Sequence, residues 1–195
     1  MKLRIQNNLG ILGGTFDPPH KGHLHISKLV IKKLDLKLLY WAITKQNPLK
    51  KTTPHNNENK RKTLCRQLTK GEKKIKLLNT SDIKNSNLTI NILQKIKKKI
   101  SKKTNLFFII GADNLVQLHQ WKEYKKIFSL CTVVVMNRIG YKKPALTSPA
   151  AKKFRKTKIS LDTLLKMGPK QKEWVYINNK GINVSSSRLR ISLYK

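Results

Sequence analysis

Gly10-Ile11-Leu12-Gly13-Gly14-Thr15-Phe16-Asp17-Pro18-Pro19-His20-Lys21-Gly22-His23 joins a short apolar run, Leu9 to Leu12, to an amphipathic stretch, Leu24 to Leu34. The apolar run reads as a buried strand and the stretch behind the histidines as a helix. Between them stand a glycine pair and a turn, Asp17-Pro18-Pro19, which Asp17 is expected to fix. Strand, glycine turn and helix amino terminus together place backbone N–H groups where they face a phosphate. His20 and His23 are three apart and share one helix face. They add two side-chain donors, and Gly22 between them leaves room for close approach. The junction reads as a nucleotide site. A zinc site of His20, His23 and His25 is set aside, because no cysteine or carboxylate stands at ligand spacing. No protein-held metal is expected.

Outward from this junction, strand and helix signals alternate. Strands read over Leu9–Gly13, Lys37–Ile43, Ile75–Asn79, Asn105–Gly111, Thr132–Asn137 and Trp174–Ile177. Several are β-branched and almost continuously apolar, as in strands covered on both faces of a parallel sheet. Helices read over His20–Leu34, Asn57–Thr69, Thr89–Ile100, Asp113–Leu118, Trp121–Phe128 and Ser186–Leu193. The alternation predicts an α/β fold, a Rossmann-like doubly wound parallel sheet in a single domain, 1–195, with a helical motif at the carboxyl terminus. Ligands then bind at the carboxyl ends of the strands, where Gly13, Gly14 and Gly111 fall. Thr44–Asn56 reads as a polar loop. The basic segment 142–169, Lys142 to Pro169, has weaker periodicity and is expected to pack outside the sheet.

The chain carries 43 Lys+Arg against 9 Asp+Glu, a net charge of +34. Such a balance is the footprint of a nucleic-acid partner, yet only seven of the 43 are arginine, the usual reader of bases. The lysines run from Lys2 to Lys195 without a basic tail or interleaved aromatics. Compositional drift is the expected origin of the charge, with no specific nucleic-acid partner. Cys65 and Cys131 stand alone, which suits a reducing cytoplasm better than a disulfide framework. No apolar run approaches the roughly 18 residues that span a bilayer, so a soluble, cytoplasmic protein without membrane contact is expected.

The run GGTFDPPHKGH resembles the signature of the nucleotidyltransferase superfamily with the H-x-G-H motif. Val184-Ser185-Ser186-Ser187-Arg188-Leu189-Arg190 is similar to that superfamily's I-S-S-T-x-I-R element, with Val184, Ser187 and Leu189 as conservative departures. Phe108-Ile109-Ile110-Gly111-Ala112-Asp113-Asn114-Leu115, followed by Leu118 and Trp121, resembles the F-I-I-G-A-D-x-L…W element of bacterial nicotinate-nucleotide adenylyltransferases. The likeness runs from about Gly10 to Arg190.

This resemblance implies transfer of AMP from ATP to nicotinate mononucleotide, giving deamido-NAD and pyrophosphate, with Mg²⁺ carried on ATP. It implies a catalytic set of His20, His23 and Arg190. The implied ATP-binding residues are Gly13, Gly14, Thr15, Phe16, Gly22, Gly111, Asp113, Ser186 and Ser187. The implied acceptor residues are Thr89, Trp121 and Lys122. Asp113 is expected to face the ribose, to cap the helix after it, or both. Trp121 either stacks on the pyridine ring or anchors the core. The amide mononucleotide, or another small acceptor, is the alternative within the superfamily. A basic nucleic-acid-binding module is the alternative outside it. The sequence gives no expectation for oligomeric state.

Overall fold

Among the described residues seven short strands pair in parallel in the order β3-β2-β1-β4-β5-β7-β6. They are β1 (Asn8–Gly14), β2 (Leu36–Ile43), β3 (Ile75–Leu77), β4 (Asn105–Gly111), β5 (Thr132–Met136), β6 (Lys158–Ile159) and β7 (Trp174–Ile177). The helices are α1 (Lys21–Lys33), α2 (Glu58–Leu68), α3 (Thr89–Lys99), α4 (Ala112–Gln117), α5 (Tyr124–Leu130), α6 (Lys142–Leu146), α7 (Pro149–Lys153) and α8 (Leu161–Met167). This computed structural model describes residues 8–45, 49, 53–80, 83, 85–86, 88–170 and 172–179.

Period-two alternation divides each central strand between two apolar layers. In β4, Leu106, Phe108 and Ile110 face one layer, and Phe107 and Ile109 the other. In β5, Val133 and Val135 oppose Val134 and Met136 in the same way. The first layer is closed by α3 to α7 through residues such as Leu93, Leu115, Ile127 and Ala150. The second is closed by α1, α2 and α8 through Val30, Cys65 and Leu164. Burial on both sides is why these strands read as unbroken apolar runs.

Side-chain caps set several helix starts. Asn57 accepts from the Lys60 amide at 2.9 Å, and Ser148 and Ser160 do the same for α7 and α8. Gly168, at φ 72°, ends α8 in a backbone region that favours glycine. The helix expected to start at Asp113 begins one residue earlier, with Gly111 at the cap position. Asp113 is therefore a first-turn residue and not the cap.

The segment 142–169 departs from its expected place outside the sheet. It supplies α6, α7, the edge strand β6 and α8, and β6 pairs with β7 at Lys158 and Ile159. Its periodicity was weak because the buried contacts are small and few. Ala145, Ala150 and Ala151 pack close where larger side chains would have signalled a helix face. The two thiols are free and buried on opposite layers. Burial pushes Cys65 up to about 12 and raises Cys131 as well.

The order reverses direction between β1 and β4, so the crevice of the sheet lies at their carboxyl ends. Ile109 lies in β4 beside that crevice and is fully buried. Ile109→Ala is expected to cost about 2–5 kcal/mol. Urea denaturation should show this as a lower midpoint with an unchanged slope.

Candidate active site

The loop leaving β1 carries its first functional group into α1 as a cap. His20 is extended at the cap position of α1 (φ −148°, ψ 168°), and its Nδ1 accepts from the Gly22 amide at 3.1 Å. His23 Nδ1 accepts from the His20 amide at 3.2 Å. The pair is a capping box with imidazoles in place of the usual hydroxyl and carboxylate. An Nδ1 that accepts holds no proton, so each neutral ring carries its proton on Nε2. Nε2 lies across the ring from the bonded nitrogen and points away from the helix end as a donor. Four ring atoms are thus sorted into two structural acceptors and two outward donors.

Electrostatics reinforce the neutral form. Burial, and then the positive charge of Arg138, lower His20 to about 4 from the ordinary 6.5. Burial, His20 and Arg138 together hold His23 well below 6.5. The two rings lie 3.8 Å apart between centroids, a separation at which double protonation is disfavoured.

Packing fixes the second imidazole. Phe16 is buried and sits at φ 50°, an uncommon conformation for a residue with a side chain. Its ring stacks on Trp41 at 4.7 Å and meets the His23 ring at 4.8 Å. Trp41 Nε1 donates to Ser27 Oγ at 2.8 Å, and that hydroxyl donates to the His23 carbonyl at 2.8 Å. At Gly14 an added Cβ would come within 3.2 Å of the Phe16 ring, which would have to give by a few tenths of an ångström.

Two charged residues hold the loops around this frame. Asp17 was expected to fix its own turn. Its carboxylate reaches across the chain and accepts from the His55 amide at 2.7 Å, the Asn56 amide at 3.1 Å and Asn56 Nδ2 at 2.8 Å. Arg61 is buried, and its guanidinium donates to the carbonyls of Thr15 at 2.6 Å, Thr44 at 2.8 Å, Lys45 at 3.0 Å and Asn56 at 3.1 Å. Thr15 is thereby positioned by α2 through its carbonyl.

The carboxyl end of β4 supplies the facing wall. Asp113 forms an ion pair with Arg138, which follows β5. A Cβ on Gly111 would collide with the Asp113 carboxylate. Gly13, Gly14, Thr15, Phe16, His20, Gly22 and His23 therefore stand at the end of β1, with Gly111 and Asp113 at the end of its neighbour β4. Thr89 is the first residue of α3. Trp121 is half-buried, meets the Phe108 ring edge-on at 6.4 Å, and is followed by exposed Lys122. Ser186, Ser187 and Arg190 lie outside the described residues.

Sequence reading missed Arg61, Arg138 and Asn179. Arg61 sits in an ordinary charged helix, Glu58 to Arg66, and only burial distinguishes it. Arg138 follows an apolar strand, in a segment Met136–Tyr141 that also resembles the family, yet nothing in the sequence gives it a role. Asn179, just past β7, has both amide atoms buried without a partner among the described residues, and its carbonyl accepts from Asn137 Nδ2 at 3.3 Å.

The family model described as cytidylyltransferase-like matches residues 11–191. A Pelagibacter ubique protein named a probable nicotinate-nucleotide adenylyltransferase is 39% identical over 186 residues, covering 95% of this chain and 93% of the relative. A Ruegeria pomeroyi protein of the same name is 30% identical over 186 residues, covering 93% and 84%. In fold, the chain resembles the Plasmodium falciparum nicotinic acid mononucleotide adenylyltransferase complexed with NaAD. The TM-score is 0.67 at 18% identity, over 95% of this chain and 83% of that one.

The capping box gives a pH signature. The folded values lie below 6.5, so the unfolded chain takes up protons first as pH falls. The histidine contribution to stability is complete above about pH 6.5 and is lost on acidification through about 4 for His20. NMR of the ring nitrogens should show both imidazoles as neutral Nε2–H tautomers at neutral pH. Titration of His20 near its ordinary value, or an Nδ1–H tautomer, would contradict the cap.

Proposed function

We propose a reaction for this chain from one premise: it belongs to the cytidylyltransferase-like family and, within it, to the nicotinate-nucleotide adenylyltransferases. It transfers AMP from ATP to nicotinate mononucleotide, releasing pyrophosphate and forming deamido-NAD, a step of NAD biosynthesis. The observation that carries the mechanism is the pair of neutral imidazoles whose Nε2–H donors face out of the helix end.

The acceptor's 5′-phosphate is already largely ionised near neutral pH, since its second pKa is about 6. No base is needed to activate it. The barrier is repulsion between that anion and a triphosphate, so catalysis consists of in-line positioning and stabilisation of charge on the phosphoryl oxygens. The phosphate oxygen attacks the α-phosphorus, and the α–β bridging bond breaks with its electron pair leaving on pyrophosphate. His23 and His20 donate through Nε2 to the α-phosphate and its neighbours. Neutral donors suit this task because they hold their protons throughout and take none from the acceptor.

The N–H groups of Thr15 and Phe16 line the triphosphate, placed by Arg61 and by the Phe16 stack on Trp41. Arg138 stands as a fixed positive charge beside the imidazoles and adds to the attraction. Ser186, Ser187 and Arg190 receive the departing β- and γ-phosphates. Gly111 and Asp113 meet the adenosine ribose. Thr89, Trp121 and Lys122 form the acceptor side, with the Trp121 ring against the pyridine.

Mg²⁺ carried with ATP as part of the substrate would neutralise part of the triphosphate charge. Asp17 binds the 55–56 amides and Asp113 pairs with Arg138. That donor set fits an ion held mainly by phosphates and water rather than caged by the protein.

His23→Ala is expected to lower the chemical step by roughly 10²- to 10³-fold, and loss of the cap to lower the thermal transition by only a few degrees, on the order of 1 kcal/mol. Pyrophosphate release from ATP, compared between nicotinate and nicotinamide mononucleotide, tests the acceptor. Preference for the acid supports this reading, and preference for the amide overturns it.

A further inference from the structure

The surplus lysines look scattered along the sequence, but the fold gathers them. Every strand pairing is parallel, so every connection from a helix into its next strand lies at the amino-end pole. The active site lies at the other. Entering β4, the chain reads Lys97-Lys98-Lys99-Ile100-Ser101-Lys102-Lys103. Entering β3 it carries Arg66, Lys70, Lys73 and Lys74, and entering β2, Lys32, Lys33 and Lys37. All but the partly buried Lys33 are exposed. These three mouths flank β1 in the order β3-β2-β1-β4. They are tied together beneath the surface: Asn8 Nδ2 donates to the Leu34 carbonyl at 2.7 Å, and Asn105 Nδ2 donates to Asn8 Oδ1 at 2.9 Å.

The opposite pole carries less charge. Thr15 to His20 contains no lysine or arginine. Among the described residues of the strand-to-helix connections and the first helical turns after them, Lys21, Lys45, Lys60, Arg61, Arg138, Lys142 and Lys143 are the basic ones, seven against the twelve at the three mouths. Lys50, Lys51 and Lys84 lie outside the described residues.

Three simpler origins fail against this asymmetry. Compositional drift would fill both sets of loops alike. Compensation of helix dipoles acts only in the last turn and leaves Lys70, Lys73, Lys74, Lys102 and Lys103 without a reason. Steering of anionic substrates would need charge at the site mouth. The seven residues of β1, at about 3.3 Å each, separate the poles by roughly 20 Å, about twice the Debye length in physiological salt.

We infer that the amino-end pole is a docking surface for the phosphodiester backbone of a nucleic-acid duplex, engaged while the active site stays open. Lysine ammonium groups are compact point charges, and phosphate contacts made by them carry no sequence information. The three mouths contain no aromatic residue on which single-stranded bases would stack. They also lack the exposed apolar side chains with which basic surfaces enter a bilayer. Leu165 and Met167, exposed at the end of α8, stand on the β7 side, two strands beyond β4.

The test uses the full chain and two variants of equal net charge. The pole variant combines Lys73→Gln, Lys74→Gln, Lys97→Gln, Lys98→Gln, Lys102→Gln and Lys103→Gln. The control combines Lys28→Gln, Lys60→Gln, Lys125→Gln, Lys126→Gln, Lys142→Gln and Lys143→Gln, all exposed and none in a helix-to-strand connection. Fluorescence anisotropy with mixed-sequence RNA and DNA duplexes is followed across salt, with vesicles of anionic lipid as competitor. The parent chain is expected to bind at least one duplex at physiological salt, with a log–log salt slope of about −3 or steeper. The pole variant should bind at least about tenfold more weakly with a shallower slope, and the control within about twofold of the parent. Saturating duplex should leave pyrophosphate release unchanged. Equal losses in both variants, absence of duplex binding by the parent, displacement of duplex by the vesicles, or inhibition of the reaction by duplex each overturn the proposal.

Discussion

The two Nδ1 atoms at the start of α1 constrain everything built around them. Each is engaged by a backbone N–H, which sets tautomer, ring direction and protonation state at once. An ordinary capping box uses a hydroxyl and a carboxylate, and would satisfy the same orphan amides while leaving only the freely rotating O–H of the hydroxyl as a donor. Imidazole is the side chain whose ring has a second nitrogen on the far side. The first turn is therefore closed and the reaction centre armed by the same two groups. Loss of either ring leaves an amide without its partner as well as a phosphate without its donor.

Such a cap is useful only if the preceding loop is rigid, and the surrounding residues supply that rigidity from three directions. Phe16 is held in a strained backbone region by its stack on Trp41. Arg61 gathers four carbonyls from the β1 loop, the β2 exit and the approach to α2. Asp17 binds the same approach through its amides. The charges on Arg61 and Asp17 are thereby matched to dipoles of the backbone, which is how a buried charge becomes tolerable.

Sequence reading recovers what local pattern encodes. The apolar runs of β1, β2, β4, β5 and β7 and the helix periods of α1 and α3 arise from short-range alternation, and the structure keeps them within a residue or two. The histidine pair was legible because the glycines and prolines around it have few other uses. Arg61, Asp17 and Arg138 were not legible as they act here, since the partners named above, Asn56 of Arg61 apart, lie 16 to 46 residues away in the chain. Strand β6 is two residues long and has no period to read. The charge asymmetry was hidden for a similar reason: alternate connections go to opposite poles, so a linear scan averages them.

The two cysteines divide the core in a way that has its own consequence. Cys65 packs under α2 in one layer, and Cys131 precedes β5 in the other, with the sheet between them. Burial keeps both as unreactive thiols, and a thiol reacts appreciably only once it is exposed. Each layer thus holds a built-in timer. The rate at which an alkylating reagent consumes one thiol dates the opening of its own side of the sheet, and the ratio of the two rates tells whether the halves come apart together or in turn.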